Sequence, residues 1–106
     1  MGKDEQQVES YLRDLDSVPK LSEEEIRHLI ASRAIALQRV VTSHLHLVVS
    51  LTKEFSGQDR SQIDLILKGN IGLIHAVETF DLASQESFSD YARRCIRTAI
   101  AQAQKE

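Results

Sequence analysis

Apolar residues recur at helical spacing along almost the whole of this chain. Val8, Tyr11, Leu12 and Leu15 fall at i, i+3, i+4 and i+7, the spacing of one buried helix face. Asp4 is placed to cap that first helix. Ser17-Val18-Pro19 ends it, because the residue before a proline avoids the helical region. Ser22-Glu23-Glu24-Glu25 then reads as a capping box, and its acids suit the positive end of the helix dipole. The helix it opens runs from about Glu23 to Ile30, with Ile26, Leu29 and Ile30 inward. A change of phase around Ala31-Ser32-Arg33 precedes a long helix reaching about Phe55. Its apolar set, Ile35, Leu37, Val40, Val41, Leu45, Val48, Val49 and Leu51, is wide enough to be buried on more than one side.

Ser56-Gly57-Gln58-Asp59 predicts a C-cap and turn, with Gly57 free to take the left-handed conformation. Ser61 caps the next helix, which carries Ile63, Ile66, Leu67, Ile71, Leu73, Ile74 and Val77 and ends near Phe80. Asp81 to Glu86 is a polar loop. Ser87 caps a last helix containing Phe88, Tyr91, Ala92, Cys95, Ile96, Ala99 and Ile100. No run of strict alternation argues for a strand. The expected fold is all-α, a compact bundle of about five helices.

Composition agrees with that pattern. Glycine and proline are scarce, at 4 and 1 of 106 residues, and tryptophan is absent, so an aliphatic core is expected. The formal net charge of −3 counts against a broad basic surface for nucleic acid. Within residues 1–30, Asp4, Glu5, Glu9, Asp14, Asp16, Glu23, Glu24 and Glu25 outnumber Lys3, Arg13, Lys20 and Arg27. The single cysteine, Cys95, permits no internal disulfide, and no apolar run approaches the ~18–20 residues of a membrane span. A soluble, cytoplasmic chain is expected, with no membrane partner.

No catalytic constellation stands out, so neither an enzyme nor a cofactor is expected. His44 and His46 lie two apart on a helix and point to different sides, while His28 and His75 stand alone, so no metal site is expected. Cys95 lies among Arg93, Arg94 and Arg97 and reads as a small core-facing residue. Gly69 and Gly72 are the oddity. Each costs about 1 kcal/mol relative to alanine inside a helix, so the pair implies close approach by another backbone.

An ordered set of segments resembles the bacterial sigma-70 family of RNA polymerase sigma factors. Val18-Pro19-x-Leu21-Ser22-x-Glu24-Glu25 resembles the stretch before the family's core domain, and Leu45-His46-Leu47-Val48-Val49-Ser50-Leu51 its first core helix. Asp64-Leu65-Ile66, Gly69-Asn70-Ile71-Gly72-Leu73-Ile74 and Ala76-Val77-x-x-Phe80-Asp81 are the strongest match. Phe88-Ser89-x-Tyr91-Ala92 and Ile96-Arg97-x-Ala99-Ile100 continue it. The resemblance covers about residues 5–103, with a short deletion near 30–34. It divides the chain into an N-terminal segment over 1–33 (region 1.2-like) and a region 2-like domain over 34–106.

The resemblance implies docking on the clamp helices of the RNA polymerase β′ subunit. Asp64, Asn70 and Ile74 are then the matching contact residues, and Gly69 and Gly72 permit close approach. Leu67 and Lys68 stand where the family usually has Gln and Glu, and Lys68 suits a basic partner less well.

The DNA side departs further. Ala83, Ser84 and Ser87 replace bases, and Glu86 replaces an aromatic. Arg94 and Cys95 stand for the family's paired tryptophans, and Thr98 and Ala101 for its glutamine and threonine. Phe80 and Tyr91 remain of the aromatic set, and both also suit a core role. Tyr91, Arg93, Arg94 and Arg97 are the candidates for residual DNA contact. Each lost stacking platform forfeits about 1–3 kcal/mol per base, so promoter recognition is expected to be weakened and DNA contact weak or indirect. Three readings stay open: a polymerase-binding initiation factor or regulator, a decoy that sequesters an anti-sigma protein, and a piece of a longer divergent sigma factor.

Overall fold

The computed structural model describes residues 2–32, 36–55 and 61–105. The helices are α1 (Gly2–Leu15), α2 (Glu23–Ser32), α3 (Ala36–Ser43), α4 (Leu45–Thr52), α5 (Gln62–Thr79) and α6 (Phe88–Gln104), with a 3₁₀ turn over Lys53–Phe55. Among the described residues there is no strand, so the fold is all-α. The expected turn at Ser56-Gly57-Gln58-Asp59, the inward positions of Ile35 and Leu37, and the junction between α2 and α3 fall outside what is described.

Helices α5 and α6 form the centre. Gly69 faces Ile100, Gly72 faces Ala99 and Phe80 meets Phe88, so the two run antiparallel. Leu73, Ile96, Ile100, Val40, Val48 and Val49 fill the space between them and the α3–α4 pair, each essentially inaccessible to solvent. Thr52 is buried with them, donating to the Val49 carbonyl at 2.6 Å and accepting from Gln62 Nε2 at 3.1 Å. The core is not purely aliphatic. Phe88 is fully buried and meets His44 and Phe80 edge-on, with ring centroids 5.0 and 5.3 Å away, the favoured geometry for aromatic pairs.

Three caps lie where the local pattern places them. Ser22 and Glu25 exchange hydrogen bonds at 3.0 and 3.1 Å, and that bonding holds the Glu25 carboxyl below its ordinary pKa. Ser61 accepts from the Asp64 N–H, and Ser87 from the Asp90 N–H.

Asp4 does something else. Helix α1 begins at Gly2, so Asp4 sits inside its first turn. Its carboxylate accepts from the backbone N–H groups of Gln62 and Ile63 at 3.1 and 3.2 Å. It thus caps α5, a helix distant in sequence, rather than its own.

The long helix expected up to Phe55 is interrupted at His44, which adopts φ −109° and ψ 7°. Side chains compete for the carbonyls there. Ser43 Oγ donates to the Val40 carbonyl at 2.9 Å, and His44 Nδ1 reaches the same oxygen at 2.8 Å. Such local side-chain bonding bends helices. The bend carries the His44 ring inward onto Phe88, while His46 points out toward Asp16.

Candidate functional site

Helix α5 has two faces of similar hydrophobicity and different fates. Leu65, Ile66, Gly69, Gly72, Leu73, Ala76 and Val77 are buried. Leu67, Ile71 and Ile74 are 58%, 61% and 45% exposed, a stripe at i, i+4 and i+7. Asp64 and Lys68 lie partly exposed along the same side. The sequence alone does not single out Ile71. Its register between Leu67 and Ile74 is the signal that would have found it.

The glycines belong to the opposite face. A Cβ on Gly72 would lie 2.7 Å from the Cys95 carbonyl oxygen, 2.8 Å from Ala99 Cβ and 3.1 Å from Ile96 Cα. On Gly69 it would meet Val48 Cγ1 at 2.7 Å and the tips of Ile100 and Ile96. The close approach they permit is that of α4 and α6 in the same chain. An expectation that they admit a partner's backbone is corrected accordingly.

Asn70 sits at the margin between the faces. With Gln7, Tyr11, Ile63, Ile66 and Leu67 it lines a shallow groove of about 190 Å³ between α1 and α5. Its Oδ1 is buried with no hydrogen-bond partner among the described residues, an arrangement that costs free energy until a donor arrives.

The second candidate surface is on α6. Arg93 and Arg94 are exposed, Arg97 is exposed one turn further on, and Tyr91 is half-buried. Arg94 is engaged in fork geometry with Glu86, at 3.2 and 2.5 Å, and its guanidinium lies over the Tyr91 ring, 5.3 Å from the centroid. Phe80 lies against Tyr91 with centroids 5.6 Å apart, and the Tyr91 hydroxyl is 2.6 Å from Thr79 Oγ1. Arg97 makes the same forked pair with Glu54, at 3.0 and 3.1 Å. That bonding from Arg97 holds the Glu54 carboxyl below its ordinary pKa. Phe80 itself is buried in the core.

Helix α2 fixes the loop that presents Glu86. Arg27 donates to the carbonyls of Leu82, Ser84 and Glu86 at 2.8–3.1 Å. Glu23 pairs with Arg27 and accepts from the Phe88 N–H at the start of α6. Pattern reading does not reveal Arg27 or Glu54 as organisers, because they act across 55 and 43 residues of sequence, nor Glu86, which reaches Arg94 from the loop before α6 and so outside any helical repeat. Among the described residues no group of three or more His, Cys, Asp or Glu side chains is placed to hold a metal ion. Among the described residues no helix is long and apolar enough to cross a membrane.

A helical domain built on an antiparallel α5–α6 pair, with an apolar stripe outward on the glycine-bearing helix, defines a class. The chain belongs to the sigma-70 region 2 family, whose profile matches residues 40–105. It is similar to RNA polymerase sigma factor SigA of Clostridium acetobutylicum, with 41% identity over 100 residues, covering 91% of this chain and 26% of that protein. RNA polymerase sigma factor SigA of a Bacillus species is 38% identical over 100 residues, with the same coverage. The chain therefore spans about a quarter (26%) of the length of these relatives.

Proposed function

We propose that this chain is a sigma-70-like transcription-initiation domain that docks on RNA polymerase through the outward face of α5. The observation that carries the reading is the exposed stripe Leu67, Ile71 and Ile74 beside the orphan Oδ1 of Asn70. Exposed apolar area next to an unsatisfied buried acceptor is what a partner helix with a donor side chain would cover. The clamp helices of the β′ subunit are the proposed partner, with Asp64, Leu67, Lys68, Asn70 and Ile74 as contacts. Segment 1–33 acts as a support packed on the 34–106 domain, and the site of action is the cytoplasm, where the polymerase is. The chain is a binding module rather than an enzyme.

Capture of the chain by the isolated clamp helices tests this. Binding is expected, weakened several-fold by Asp64→Ala and by Asn70→Ala. No binding, or binding that neither variant changes, overturns it. A second reading, a decoy for an anti-sigma protein, is favoured by the pairing of Arg94 and Arg97 with acids, which leaves the α5 face as the open surface. Affinity for an anti-sigma protein without affinity for the clamp helices would select it. As a piece of a longer sigma factor, the chain would keep the same α5 contact.

A further inference from the structure

Helix α6 presents an aromatic ring and three arginines, Tyr91, Arg93, Arg94 and Arg97, the side-chain chemistry of a platform for single-stranded nucleic acid. The geometry closes that platform. The Arg94 guanidinium lies over the Tyr91 ring at 5.3 Å, and Glu86 holds it there through two hydrogen bonds. Glu86 is itself positioned by its backbone. Its N–H donates to Ser84 Oγ at 3.0 Å, and its carbonyl accepts from Arg27 at 2.8 Å. An exposed ion pair alone contributes little. Here the fork geometry, the anchored loop and the ring beneath act together.

We propose that the Glu86–Arg94 pair is a lid closed over Tyr91 that keeps single-stranded DNA from stacking on this face. The inference rests on the reading that DNA recognition is weakened, and supplies a cause beyond missing side chains. A base needs the ring face that the guanidinium covers. The phosphates meet an arginine already neutralised by Glu86 and, one turn on, another neutralised by Glu54.

Removing Arg94 gives a test whose sign is diagnostic. Loss of a cation ordinarily weakens DNA binding. Uncovering Tyr91 instead strengthens it, by about five-fold or more if one base gains the lower end of stacking energy. The experiment is a titration of fluorescently labelled single-stranded oligonucleotide by the wild-type chain, Arg94→Ala and Glu86→Gln, with folding checked by circular dichroism. Both variants are expected to bind more tightly than wild type, and Tyr91→Ala added to Arg94→Ala is expected to abolish the gain.

A second readout does not depend on the Tyr91 variant folding. The chain has no tryptophan and two tyrosines, so in a Tyr11→Phe background Tyr91 is the sole tyrosine fluorophore. Oligonucleotide should quench it in Arg94→Ala and leave it nearly unchanged in the chain that keeps both Glu86 and Arg94. Equal or weaker binding by Arg94→Ala, or quenching that ignores Arg94, overturns the lid while leaving weakened recognition standing. Tight binding by the wild-type chain overturns both.

Discussion

Glycine inside a helix costs about 1 kcal/mol relative to alanine, and α5 spends that twice on close packing. The two positions differ in what surrounds them. At Gly72 an added Cβ meets the Cys95 carbonyl oxygen and Ile96 Cα, backbone atoms that move only if α6 moves. At Gly69 it meets side chains only, the stiff and fully buried Val48 at 2.7 Å and then Ile100 and Ile96, so neighbours must shift there too but no backbone has to. Gly72→Ala is therefore expected to lower stability by about 1–3 kcal/mol, the usual range for overpacking. Gly69→Ala should cost less than Gly72→Ala, because the atoms that must give way there are side chains and not the backbone of α6. Urea denaturation of both variants checks this, and equal midpoints would contradict the assignment of Gly72 to a backbone contact. The need for close approach at these positions is legible in the sequence, since nothing else explains paired glycines in a helix. Which neighbour approaches is not. Apolar residues line both sides of α5, and periodicity cannot say which side is buried when Leu67, Ile71 and Ile74 are as apolar as Leu65, Ile66 and Leu73.

At the scale of elements, legibility follows sequence distance. Ser22, Ser61 and Ser87 each serve an N–H three residues on, and a three-residue pattern can be read directly. Asp4 reaches across to Gln62 and Ile63, 58 and 59 residues away, and no local pattern encodes that. The break at His44 was hidden for another reason. Thr42, Ser43 and His44 are tolerated in helices, and only their joint bonding to the carbonyls of Gln38 and Val40 bends the chain. The Asp4 cap joins α1 to α5, so its removal should act on both. Asp4→Ala is expected to cost about 0.5–2 kcal/mol, the range for a lost N-cap. Hydrogen exchange should quicken at the Gln62 and Ile63 amides and along α1. Faster exchange confined to α1, with those two amides unchanged, would show that Ser61 suffices to hold the start of α5.

The molecule as a whole has a pH dependence written into the place where its helices converge. His44 joins α3 to α4, lies edge-on to Phe88 of α6, and sits 3.4 Å from Ser89 Oγ through Nε2. Burial lowers its pKa below the ordinary imidazole value, against the opposing pull of the Val40 carbonyl and of Glu23. The unfolded chain therefore takes up a proton at His44 before the folded chain does. Stability is fully present above about pH 6.5 and is lost as pH falls from there toward the folded pKa, below which this loss levels off. Glu25 and Glu54, held below the ordinary carboxylate pKa by hydrogen bonds from Ser22 and Arg97, withdraw their contributions as pH falls through the carboxylate range. Urea midpoints measured from pH 8 to pH 5 should fall for the wild-type chain. His44→Phe keeps a ring against Phe88 and leaves the Val40 carbonyl to Ser43, so its midpoints should stay flatter over that range. An undiminished fall in the variant would place the titration elsewhere and leave His44 with a packing role alone.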